Sequence, residues 1–121
     1  MTASAPLPTV LAALADELRV SSAHAVALEG LVSEMVRRSS GEDRKLAMQE
    51  AQGLDALQQH LDVLARFVAR LADSAPEAAI PVGPALHDVP LAQLAARLRS
   101  ALLPHGQALS AEGEAGDLEL F

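Results

Sequence analysis

Two long runs of apolar residues, each spaced at alternating steps of three and four, constrain this chain more than any other feature. In the first, Leu11, Leu14, Leu18, Ser21, Ala25, Leu28, Val32 and Met35 fall on one helical stripe, interrupted only by the hydroxyl of Ser21. In the second, Leu46, Leu54, Leu57, Leu61, Leu64, Phe67, Val68 and Leu71 do the same, with Gly53 on the same side. Ser39-Ser40-Gly41 separates them. The spacing predicts a helix from about Thr9, as cap, to Arg38, where two arginines suit the negative helix end. It predicts a second helix from about Glu42 to Asp73, with Glu42 and Asp43 in its first turn. A connection this short makes the pair an antiparallel hairpin. Each arm is roughly 45 Å long at about 1.5 Å per residue.

The remainder of the chain divides by its prolines. Residues 1–8 are small and proline-containing and read as a frayed, disordered lead. Residues 9–74 are the hairpin. Residues 75–89 carry Pro76, Pro81, Pro84 and Gly83 and read as a connection in which no helix survives. Residues 90–103 form a short third helix, with Asp88 as cap, Pro90 in the first turn and a stripe of Leu91, Leu94, Leu98 and Leu102. Residues 104–121 are a flexible linker and a partner-binding tail.

The expected fold class is therefore all-α. One short helix covers only part of a hairpin this long, and each stripe needs cover on more than one side. A second copy is the simplest source, making a dimeric four-helix bundle; a collapsed monomeric three-helix bundle is the alternative.

Composition narrows the function classes. Half of the residues are hydrophobic but only 2% are aromatic, which favours helices packed by Leu and Ala over sheets. The formal net charge of −7 repels phosphate backbones and anionic lipid, so neither nucleic acid nor membrane is expected as a partner. The chain has no cysteine, which excludes disulfides and thiolate chemistry. Met1–Pro8 has no basic start followed by an apolar run, and a cytoplasmic location is expected. No His/Asp/Glu set has metal-ligand spacing, so no metal or other cofactor is expected on this chain.

On a helical wheel centred on Leu57, Leu61 and Leu64, the residues Gln52, Asp55, Gln59, Asp62 and Arg66 take the opposite side. Asp55 and Gln59 are four apart, so their side chains are neighbours on exposed surface. The plain alternative is a solvated helix face carrying an Asp62–Arg66 pair.

The segment Gln52-Gly53-Leu54-Asp55-Ala56-Leu57-Gln58-Gln59 resembles the active-site stretch of the CheZ-type chemotaxis phosphatases. In these an Asp-x-x-x-Gln pair lies on the outer face of a long helical hairpin, and the short relatives called CheT are similar in length. The resemblance implies a phosphatase acting on the aspartyl phosphate of a CheY-like response regulator. Gln59 would orient the attacking water and Asp55 would engage a lysine of the regulator. Asp62 and Arg66 would lie in the docking surface, and Mg²⁺ would be held by the regulator. Asp117-Leu118-Glu119-Leu120-Phe121 ends the chain after an acidic, glycine-containing stretch, as the CheZ-type proteins end in a tethered peptide that docks on the regulator. Tethering of this kind raises local concentration.

Two other functions fit part of the sequence. The terminal five residues also resemble the sliding-clamp peptide Gln-Leu-Ser/Asp-Leu-Phe, with Asp117 in place of the Gln, which implies a non-enzymatic adaptor. A histidine phosphotransfer bundle would use His24 or His60, each at the edge of a stripe; neither is followed by the Lys-Gly that such domains carry. His87 and His105 fall outside the predicted helices.

Overall fold

A computed structural model describes residues 3–103. The element order is β1 (Ser4–Pro6), α1 (Leu7–Arg38), α2 (Gly41–Ser74), β2 (Ala79–Pro81), α3 (Gly83–His87) and α4 (Ala92–Leu102). The protein is mostly helical, and α1 and α2 form the long antiparallel hairpin. The turn is as short as the sequence predicts. Gly41 takes φ +61°, a left-handed conformation that L side chains avoid. The Ser39 hydroxyl donates back to the Met35 carbonyl, and Glu34 pairs with Arg37 and Arg38 at the end of α1.

The chain divides into two compact units, one built from the residues before Leu14 and after Arg70, the other from Leu14–Arg70. In the second unit the seam between the helices differs from the predicted stripes. Its best-buried residues are Ala15, Ser22, Ala25, Ala47 and Ala65, with Leu18, Leu54 and Leu61 half-buried beside them. Leu14, Leu28, Met35, Leu46, Leu57, Leu64 and Phe67, all on the predicted stripes, are exposed. Small side chains let two backbones approach closely. The helices therefore meet along the alanines and turn the larger groups to one flank.

The first unit is held by more than helices. Residues 3–8 are not a frayed lead. Ser4–Pro6 pairs antiparallel with Ala79–Pro81, with Ala5 opposite Ile80. The Leu7 N–H donates to the Ala78 carbonyl and the Val82 N–H to the Ala3 carbonyl, at 2.8 and 2.9 Å. With that support α1 starts at Leu7 rather than Thr9, and Pro8 sits in a first turn where its missing N–H costs nothing. The proline-rich connection likewise contains the short helix α3, because Pro84 also falls in a first turn. Ala5, Ala13, Val82, Leu86, Leu102 and Leu103 form the core of this unit. The third predicted helix is α4. It is capped by the backbone of Leu91, with no side-chain cap from Asp88, and Leu91 is exposed rather than buried. The predicted linker and tail, residues 104–121, lie outside the described residues.

Candidate functional site

The α1–α2 seam fixes how each face of α2 is presented. About 100° of rotation per residue places Gln58, Leu61 and Ala65 toward α1. Asp55 and Gln59 then lie about 95° round from the seam on one flank. Leu57 and Leu64 lie about 85° round on the other flank, and Phe67 about 155° round, on the side away from α1. The wheel drawn from sequence was centred on that leucine flank, so the true seam is rotated from it. The polar pair stays on the open side under either centre.

Asp55 and Gln59 are both exposed, and Gln59 Nε2 donates to Asp55 Oδ2 at 2.9 Å. A carboxylate and an amide are thus held together on one turn of rigid helix. The amide keeps an acceptor oxygen and a second N–H, and the carboxylate keeps further lone pairs. The pair can bind a water and a cationic side chain together. Across the hairpin on the same side, α1 presents the small or uncharged residues Ala23, Val26 and Gly30, all exposed.

Asp62 and Arg66 share the flank but not a bond. Asp62 turns toward the seam, where Ser22 Oγ donates to its Oδ1 at 3.2 Å and Gln58 Nε2 to its Oδ2 at 3.1 Å. Ser22 is buried and Gln58 half-buried. A hydroxyl shut into an alanine seam needs an acceptor, and Asp62 supplies it. Arg66 is left on the open surface. Sequence reasoning missed Ser22 and Gln58. Ser22 is one residue off the predicted stripe, and its partner is 40 positions away, so only the register of the hairpin reveals the link.

His24, His60 and His87 are exposed, and His105 lies outside the described residues, as do Asp117, Leu118, Glu119, Leu120 and Phe121. Among the described residues no three His, Asp or Glu side chains converge into a metal-binding group. No buried side-chain polar atom among them lacks a partner.

A family model described as a domain of unknown function (DUF8776) matches residues 3–121. The chain belongs to the DUF8776 family. No curated protein and no solved structure matches it. The match takes in the hairpin, the small sheet and the terminal peptide of this DUF8776 chain alike. No helix among its described residues is long and apolar enough to cross a membrane.

Proposed function

We propose that this DUF8776 chain is a short CheZ-type auxiliary phosphatase that removes phosphate from the aspartyl phosphate of a CheY-like receiver in the cytoplasm. The observation that carries the reading is the exposed Asp55–Gln59 pair on one face of α2, bonded at 2.9 Å. A protein substrate requires such an open surface and no pocket.

The chemistry asks little of the catalyst. Water attacks phosphorus, the bond from phosphorus to the receiver's carboxylate oxygen breaks, and the carboxylate leaves with the electron pair. The transition state is loose, so placement and charge stabilisation dominate. Gln59 holds the water by its amide oxygen and aims a lone pair at phosphorus. Asp55 pairs with a receiver lysine and sets the docking register. When that lysine arrives, Asp55 trades its bond from Gln59 for a charge-assisted one, and the Gln59 amide turns to the water. The Mg²⁺ such a receiver carries belongs to the receiver, and no residue of this chain is assigned to it. Arg66 lies on the docking surface; Asp62 serves chiefly to join the helices. The Asp117–Phe121 peptide tethers the receiver.

The test is phosphate release from a phosphorylated CheY-like receiver with and without the chain. Acceleration by wild type and its loss in Gln59→Ala support the reading. No acceleration, or full activity in Gln59→Ala, ends it. Sliding-clamp capture by the terminal peptide, unaffected by Gln59→Ala, would support the adaptor reading instead.

A further inference from the structure

Asp62 and Arg66 stand four apart on α2, the spacing at which an acid and an arginine ordinarily pair across a helical turn. Here they do not. Ser22 Oγ at 3.2 Å and Gln58 Nε2 at 3.1 Å engage the two oxygens of Asp62. On the α1 side of the same flank, Asp16 is engaged by Arg19 at 2.8 Å. Among the described residues the exposed Arg66 side chain makes no ion pair and no hydrogen bond. A guanidinium carries five N–H donors, and those of Arg66 are turned to no protein acceptor.

Arg66 is also the cation of α2 nearest to Gln59 along the helix. Seven residues separate them, which is two turns, about 10 Å along the axis and about 20° out of line. A helical side chain covers the turn before its own Cα, so the long Arg66 stem leans back toward Gln59. A phosphoryl group attacked by a water on Gln59 stands off the helix surface above that amide, on the side to which the stem leans.

We propose that Arg66 is a further catalytic residue of this site, its guanidinium binding the non-bridging oxygens of the receiver's phosphoryl group while Gln59 aims the water. The inference rests on the phosphatase reading and adds to it a means of telling phosphorylated from unphosphorylated receiver. Asp55 and Gln59 cannot supply that on their own, since a carboxylate repels a phosphoryl dianion and an amide carries no charge. A guanidinium is always charged, and its planar fork matches two phosphate oxygens. The bonds from Ser22 and Gln58 gain a second effect: they keep Asp62 occupied and leave Arg66 to an incoming anion.

Beryllium fluoride on a CheY-like receiver is a stable stand-in for the phosphoryl group. The affinity of the full chain for receiver with and without it therefore reads this recognition directly. Wild type binds the fluoride-loaded receiver more tightly. Arg66→Ala lowers that preference by about 10-fold or more, the weight of one charge-assisted hydrogen bond. It also raises the receiver concentration needed for half-maximal phosphate release. Arg66→Lys keeps part of the preference, because the charge stays and the fork is lost. Both variants keep the wild-type helical circular dichroism, since the position is exposed. An unchanged preference in Arg66→Ala overturns the inference. So does an equal loss of affinity for both receiver forms, which would assign Arg66 to a carboxylate of the receiver. Either result, beside a wild-type chain that accelerates dephosphorylation and a Gln59→Ala chain that does not, leaves the phosphatase reading standing. No acceleration by wild type removes both.

Discussion

The Ser22 hydroxyl, on α1, donates to Oδ1 of Asp62, on α2, across 3.2 Å and 40 residues of sequence. It is a polar cross-link in a seam otherwise lined mainly by small apolar side chains, and it sets which turn of α1 faces which turn of α2. Ser22→Ala removes the bond without leaving a buried orphan, since Asp62 is exposed and can rehydrate. Its cost is about 1 kcal/mol or less. Ser22→Leu overfills the seam and costs about 1–3 kcal/mol. Urea unfolding followed by circular dichroism separates the two, and equal losses would contradict the account of the seam as a close, small-residue contact.

Gln59→Ala lowers the acceleration of receiver dephosphorylation by about 100-fold, the scale expected when a positioned water is lost. It changes stability by no more than about 0.5 kcal/mol, because the site is exposed. Asp55→Ala acts mainly on recognition, so it raises the receiver concentration needed for half-maximal rate. Steady-state phosphate release over a range of receiver concentrations distinguishes the two effects.

The hairpin, its turn and the polar pair were legible because each rests on local rules. Arg37, Arg38 and Gly41 mark a helix end and a turn within a few residues. Asp55 and Gln59 are neighbours by helical spacing alone. The seam was not legible. Counting large apolar residues selects Leu57 and Leu64, but the positions of α2 most shielded from solvent are Ala47 and Ala65. The Ser4–Pro6 strand also escaped. A three-residue strand of Ser, Ala and Pro has no alternation to read, and it exists only because Ala79–Pro81 is there to receive it.

Two glycines predict opposite signs. Gly41→Ala forces a Cβ into φ +61° and costs about 1 kcal/mol, through backbone strain and not contact, since the space around it is open. Gly30→Ala, also in open space but mid-helix, stabilises the hairpin by up to about 1 kcal/mol. Thermal unfolding of the two variants beside wild type checks both directions.

Ala5→Asp places a carboxylate at a position 2% exposed, against the core formed with Val82 and Leu86. A carboxylate buried there destabilises this unit by about 3 kcal/mol or more. Faster amide hydrogen exchange at Ala78–Leu86 in the variant reports the loss, and unchanged protection would contradict the role given to the β1–β2 pairing.

Phe121→Ser leaves the maximal rate of receiver dephosphorylation unchanged and raises the receiver concentration needed to reach half of it by about 10-fold or more, the range by which a tether multiplies a weak contact. An equal fall in maximal rate would place the terminal peptide in the chemistry rather than in capture.

The pairing of Ser4–Pro6 with Ala79–Pro81 also orders events on the ribosome. The turn at Ser39–Gly41 joins neighbouring segments and can zip the helices together as α2 emerges. The first strand must wait until about 75 more residues have been made before its mate exists, and closing so long a loop is entropically slower than closing the hairpin. A nascent chain arrested before Ala79 should therefore hold coiled helices with a protease-sensitive beginning, and acquire resistance there only when the later strand clears the exit tunnel.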